Sequence, residues 1–318
     1  MEPEHANELA RRIVDDIRKV IVGQDGPVEE MAAALLAGGH ALLEGVPGTA
    51  KTLMARLLSM TTGASFRRIQ FTPDLMPSDV VGVNIYNMAM GQFVFRPGPI
   101  FSDIVLADEI NRAPAKTQSA MLEAMQERQA TVDGTPYAMS EVFTVFATQN
   151  PVEFEGTYPL PEAEVDRFML KIVVGYPEES SEEMILDKVQ DGFDAACPAS
   201  YGLTPVLDVP TLAALRKAVR GVHVELRVRR YVTAIVRATR SLPQVALGAS
   251  PRAAVMLLLA SQASAILAGR AFVTPDDVKA MALPVLRHRI LLQPEVEVEG
   301  RTADDCVREL LLGVEVPR

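Results

Sequence analysis

The run Gly45-Val46-Pro47-Gly48-Thr49-Ala50-Lys51-Thr52 has the residue types and spacing of a phosphate cradle. Such a loop wraps backbone N–H groups around a phosphate at a helix N-terminus, where the helix dipole adds to the attraction. Lys51 would neutralise the β- and γ-oxygens, and the Thr52 hydroxyl would ligate Mg2+. Ala50 departs from the general pattern, standing where a second glycine is usual. A second chemical pair, Asp108-Glu109, follows the apolar run Ile104 to Ala107. A strand there delivers both carboxylates to the carboxyl edge of a sheet, where open α/β folds bind ligands. Asp108 would hold the Mg2+ hydration shell, and Glu109 would orient and polarise an attacking water. Alone, the first motif could be a glycine turn with an incidental lysine and the second a surface acidic pair. Together, and independent in sequence, they point to a nucleoside triphosphatase.

Three further side chains fit that chemistry. Asn150 ends the β-branched and aromatic run from Val142 through Thr148-Gln149 and should project beside the γ-phosphate as a polar group. Arg167, in Asp166-Arg167-Phe168, precedes another apolar run, and Arg252 opens a helical stretch after Ser250-Pro251. A lone arginine is usually a solvated surface group. Here each falls where a guanidinium could reach a γ-phosphate, one from a neighbouring subunit and one from the helical part of the chain.

The elements that must position these groups are legible in the hydrophobic periodicity. Leu9, Ile13, Val14, Ile17 and Val20 recur at helical spacing, and after a break at 23–27 a second helix is predicted from Val28 to about Ala37. Ala41-Leu42-Leu43 reads as a buried strand, the glycine loop follows, and Thr52 to Met60 is again helical. Strand, loop and helix in that order open a parallel α/β sheet. Further strands are expected at Ser65–Phe71, Ile104–Ala107, Val142–Ala147 and Phe168–Val174, the last two as central strands. The amphipathic stretch Thr117–Arg128 is predicted as a helix. The segment Asp74–Pro99 is far longer than the ~2–6 residues of an ordinary βα loop, and its alternating apolar residues around Ala89-Met90-Gly91 predict an inserted hairpin. A second hairpin is expected at about 130–139, around Asp133-Gly134. Beyond Pro177 a turn and a helix start are followed by a proline-rich linker from Cys197 to Pro210. From Thr211 onward the segments are almost all helical, giving an N-terminal α/β domain over 1–200 and a smaller helical domain over 206–318.

Composition narrows the class. The 318 residues are 48% hydrophobic and 23% charged, enough to bury a full core without disulfides or metals. With 31 basic and 41 acidic residues the net charge is −10, which argues against a general nucleic-acid binder. The two cysteines, Cys197 and Cys306, are expected as buried reduced thiols. The acidic N-terminus shows no export signal, and Ala253–Gly269 is shorter than the ~20 residues a membrane span needs. A cytoplasmic protein without a membrane span is expected. His5, His40, His223 and His288 are scattered, without metal-ligand spacing.

The chain resembles the MoxR family of AAA+ ATPases. The residues that carry the resemblance are Val22-Gly23-Gln24, the Gly45–Thr52 loop, Asp108-Glu109-Ile110-Asn111-Arg112-Ala113-Pro114, Leu122 to Gln129, Ala147 to Pro151, Tyr158 to Ala163, Asp166-Arg167-Phe168 and Ser250-Pro251-Arg252. They span Val22 to at least His288. The resemblance implies a five-strand αβα nucleotide domain with a helical lid, assembled as a hexameric ring. It implies that 74–99 and 130–139 face the central pore, that Val22 and Gly23 contact adenine, that Asn150 is the first sensor, Arg167 an arginine finger acting in trans, and Arg252 the second sensor. It also implies a chaperone that matures or activates a partner, often one with a von Willebrand factor A domain or needing metal-cofactor insertion. Arg287, His288 and Arg289 resemble a recurrent lid motif without an assigned role.

Two other classes compete. A nucleotide-gated scaffold would bind ATP and assemble with little turnover, but it would have no need of Glu109 to activate water. A nucleic-acid motor shares the ring, yet Ala130 to Ala138 contains no Lys or Arg to meet phosphates.

Overall fold

The computed structural model describes residues 1–150, 157–197 and 201–317. Helices α1 (Pro3–Arg18) and α2 (Asp25–Ala37) precede strand β1 (Ala41–Glu44), and α3 (Lys51–Thr61) follows the glycine loop. Next come β2 (Phe66–Gln70), α4 (Pro77–Val81), the hairpin β3 (Gly82–Asn87) and β4 (Gln92–Pro97), and β5 (Ile104–Asp108). Helix α5 (Ala115–Glu127) leads into a second hairpin, β6 (Gln129–Val132) and β7 (Thr135–Ala138), and then β8 (Thr144–Gln149). The short α6 (Glu162–Val165) precedes β9 (Leu170–Val173) and α7 (Glu179–Gln190). The remainder is mostly helical: α8 (Val209–Arg220), α9 (Leu226–Ala238), α10 (Pro251–Leu267), α11 (Pro275–Leu286), α12 (Pro294–Val298) and α13 (Ala303–Gly313). One small antiparallel pair interrupts it, β10 (Val245–Leu247) with β11 (Leu291–Leu292).

Five strands form one parallel sheet in the order β2-β5-β8-β1-β9. Successive residues of a strand face opposite sides, and the core divides accordingly. Ala41 and Leu43, Ile104 and Leu106, and Phe146 face a cluster built on α1, α2 and α3 that continues into α8, α10 and α11. Leu42, Val105, Ala107 and Val145 face a second cluster under α5. Helices therefore cover both faces, and both edges of the loop-bearing β1 are paired to other strands.

Several expectations need correction. Phe168–Val174 does not supply a central strand, because β9 lies at the sheet edge; it reads as apolar because Leu170, Ile172 and Val174 are buried in the first cluster. Pro210 is not linker, since it sits in the first turn of α8, where a missing N–H costs nothing. Residues 198–200 of the expected linker and Pro151 lie outside the described residues. Cys306 is buried, but Cys197 is exposed, in the loop after α7. Both inserted hairpins form where expected, and they pack on each other. The Phe95 and Tyr137 rings stack at 3.9 Å, and Asn84 Nδ2 donates to Asp133 Oδ2 at 2.7 Å. No described helix is long and apolar enough to cross a membrane.

His40 pins the start of β1 to the second layer. The Val145 N–H donates to its Nδ1 at 2.9 Å, so Nε2 carries the proton and donates to the Met125 carbonyl at 3.2 Å. Burial first, then the nearby charge of Arg128, lowers its pKa from 6.5 to about 3. Below pH 6.5 the unfolded chain therefore takes up a proton that the folded chain refuses, and stability falls with pH until about 3. The slope from this residue approaches about 1.4 kcal/mol per pH unit. His40→Gln, which does not titrate, should flatten the fall in unfolding free energy between pH 6.5 and 5 in urea titrations; parallel profiles for the two proteins would show that another group carries it.

Candidate functional site

The glycine loop leaves β1 between the carboxyl ends of its two neighbours. The Gly45 N–H points to the Gln149 carbonyl at 3.4 Å, and a Cβ on Gly45 would lie 2.2 Å from the Val174 carbonyl oxygen. Only glycine lets the chain turn out of the sheet here. At the other end of the loop Ala50 caps α3 in the left-handed region (φ 61°), which glycine enters without cost and alanine does not. Lys51 Nζ donates to the carbonyls of Gly45 (2.9 Å) and Val46 (2.6 Å) and to Thr49 Oγ1 (3.2 Å). Burial lowers the Lys51 pKa, opposed by the charges of Asp108 and Glu109.

Asp108 and Glu109 end β5 as expected, and the structure adds the groups that hold them. Arg68 Nε and Nη2 both meet Asp108 Oδ2, at 2.9 and 2.6 Å. Thr148 Oγ1 donates to Asp108 Oδ1 at 2.6 Å and accepts from the Glu109 N–H at 2.8 Å. Gln70 Nε2 donates to Glu109 Oε2 at 2.7 Å, and Arg112 Nη1 lies 3.3 Å from the same oxygen. Glu109 itself is left-handed (φ 57°, ψ 51°), a conformation that costs of order 1–3 kcal/mol and collects at functional sites. It turns the Glu109 side chain toward Gln70 at the sheet edge.

These groups share a cavity of about 670 Å3, within the range of small-molecule sites. The loop from Gly45 to Thr52, apart from Val46, lines it together with Val22, Asp108, Glu109 and Asn150. Val46 takes part through its carbonyl. Gly23 does not line it: a Cβ there would come within 2.8 Å of Pro177 and Ser181, so this glycine serves a close packing contact. The apolar end of the cavity is closed by Val20, Ile21, Ile185, Val189 and Phe193. Lys51, Arg56, Arg68 and Lys188 against Asp108 and Glu109 leave the lining net positive, as a polyphosphate requires.

Arg167 and Arg252 are not brought to this cavity. They line a separate one of about 250 Å3 with Gly38, Gly39 and Arg128, and Arg252 Nη1 lies 3.6 Å from Asp166 Oδ2. Sequence reasoning missed Arg68 and Gln70. Their spacing of two on a strand, which puts both on one face, was the available signal. The closing residues of α7 carried no signal beyond their apolarity.

Residues 40–170 match the family described as "ATPase family associated with various cellular activities (AAA)", and residues 237–310 match the AAA lid domain. The chain is 46% identical to the Bacillus subtilis protein YeaC, with 99% of this chain and 97% of that one aligned. It is 40% identical to Chaperone MoxR1 of Mycobacterium tuberculosis, over 96% of this chain and 82% of the relative. A crystal structure of a Cytophaga hutchinsonii protein superposes with a TM-score of 0.91 at 40% identity, covering 99% of this chain and 97% of that one.

Proposed function

The chain belongs to the MoxR family of AAA+ ATPases, and on that premise we propose that it hydrolyses ATP in sites completed by a neighbouring copy and couples turnover to remodelling or activating a partner protein. One observation carries the shared-site reading. Lys51, Asp108 and Glu109 share one cavity, while Arg167 and Arg252 line another together. Charge developing on a transferred phosphoryl group needs a guanidinium or its equivalent. Of the cavity's own arginines, Arg68 is held by Asp108 and Arg56 stands more than a turn along α3 from Lys51. In this reading Arg167 and Arg252 are offered to the adjacent copy of a ring, taken as a hexamer. In this reading residues 206–318 are the lid of an ATPase domain at 1–200.

Within the site, backbone N–H groups of 45–52 cradle the phosphates, and Lys51 turns from the loop carbonyls to the β- and γ-oxygens. Val22 and the apolar wall from α7 take the base. Thr52 and Asp108 offer hard oxygen donors to one cavity, which suits Mg2+ held partly through water. The ion, when bound, neutralises charge on the phosphate oxygens. Glu109 orients the attacking water and takes its proton, and Asn150 adds a polar contact beside it. The water oxygen attacks the γ-phosphorus as the bond to the β–γ bridging oxygen breaks, leaving ADP and phosphate.

The name of the Mycobacterium relative carries the word chaperone, and a protein partner suits the tip of the first hairpin. There Met88 is 91% and Phe93 71% exposed, an apolar surface of the kind that meets protein. Such a partner would carry a von Willebrand factor A domain or await a metal cofactor.

The test is ATPase rate per subunit against protein concentration, with Mg2+ and saturating ATP. The rate per subunit should rise with concentration and plateau as the assembly fills. A concentration-independent rate would mean a self-contained site and would favour the nucleotide-gated scaffold.

A further inference from the structure

The nucleotide site makes no use of Arg287, His288 and Arg289, three consecutive basic residues just after α11. All three donate to the stretch from Asp166 to Lys171, which carries Arg167 into the edge strand β9. Arg287 Nη1 donates to the Lys171 carbonyl at 3.2 Å, while its Nε holds Asp304 Oδ1 at 3.0 Å. His288 Nε2 meets the Phe168 carbonyl at 3.1 Å. Arg289 does most: Nη1 donates to the Met169 carbonyl at 3.1 Å, Nη2 to the carbonyls of Asp166 (3.0 Å) and Phe168, and Nε to Asp166 Oδ1 at 2.7 Å. Its side chain is 1% exposed.

Besides the Met169 and Val285 carbonyls, these bonds bracket Arg167. Arg289 grips the carbonyl before Arg167, the carbonyl after it, and the carboxylate of the preceding side chain. The other oxygen of that carboxylate, Asp166 Oδ2, faces Arg252 at 3.6 Å. Apolar packing could close a sheet edge more cheaply, since a buried ion pair rarely adds net stability. A planar guanidinium with its donors spread over four backbone carbonyls, that of Val285 in α11 included, and one carboxylate fixes direction instead.

We propose that Arg289 is a positioning residue for Arg167: from the lid, it sets the backbone and the Asp166 carboxylate that aim the Arg167 guanidinium, and Arg252 with it, out of this copy. The proposal rests on the reading of Arg167 as acting across a subunit boundary. It makes the finger a copy offers depend on how its own lid sits on the sheet edge.

Subunit mixing tests it. An Arg289→Gln chain keeps its own loop, Asp108 and Glu109, so its affinity for a fluorescent ATP analogue should be unchanged. Its ATPase rate alone should fall about 10²-fold, the cost of misplacing a catalytic group by about an ångström. Mixed with excess Glu109→Gln chains, whose own slow turnover is measured alone and subtracted but which present an intact Arg167, each Arg289→Gln site should recover most of its rate. A residue that merely supported its own subunit's fold would show no such recovery. Arg167→Ala is run in parallel. If it is rescued by mixing and Arg289→Gln is not, the positioning role is wrong and the shared site stands. If Arg167→Ala itself is not rescued, the shared-site reading fails and the proposal falls with it. Should Arg289→Gln not fold, Asp166→Ala removes the gripped acceptor altogether and leaves the carbonyl bonds. The same loss and rescue are expected, and an unaltered rate in that variant would overturn the proposal.

Discussion

Glu109→Gln should bind ATP as the unaltered chain does and hydrolyse it about 10²- to 10⁴-fold more slowly, the range a positioned general base contributes. The amide keeps the size of the carboxylate but cannot take the proton of the attacking water. The fold has little reason to respond. The backbone N–H of residue 109 still donates to Thr148 Oγ1, and the left-handed turn depends on that backbone contact and on β5, not on the side-chain charge. Gln70 loses a charged acceptor but can still donate to the amide oxygen. The check is single-turnover hydrolysis beside an equilibrium titration with a fluorescent ATP analogue. A rate within threefold of the unaltered chain would remove Glu109 from the chemistry and with it the assignment of β5 as the catalytic strand.

Arg167→Ala should cost about 10³-fold in the plateau rate of the assembled protein, with affinity for ATP retained. Arg167 does not line the cavity that holds Lys51 and Glu109, so its loss leaves the binding groups of its own copy in place. Its backbone is held by others: its N–H donates to the Glu164 carbonyl at 3.1 Å, and Arg289 holds the carbonyls on either side. The truncation therefore removes a guanidinium and little else, and the thermal midpoint should shift by no more than a few degrees. Sedimentation velocity with ATP reports whether assembly persists. If the variant assembles, binds ATP and turns over normally, the finger is another residue. Arg252 and Arg128, which share the second cavity, are then the next to replace.

Much of the candidate site is legible in the residues alone, and for a common reason. The 45–52 loop and the Asp108-Glu109 strand end are local devices: a few consecutive residues encode a backbone path, and the chemistry rides on that path. The two hairpins were legible likewise, from alternation and a glycine turn. Tertiary structure alone decided the rest, because those contacts join residues that chain order separates by a strand, a layer or a domain. Arg68 and Gln70 meet the acidic pair only because β2 pairs with β5, in a register that sets Gln70 opposite Asp108. Gly23 packs against Pro177 and Ser181 and does not line the cavity that Val22 lines. The apolar run at β9 reads as central from its composition, but it is an edge strand; Arg287 donates to its Lys171 carbonyl from 116 residues away, and His288 and Arg289 to the residues just before it from 120 away. The same long-range packing leaves Arg167 and Arg252 together and apart from the phosphate loop. Sequence spacing could name both arginines, but which cavity each lines depends on how the helical part and the sheet are packed.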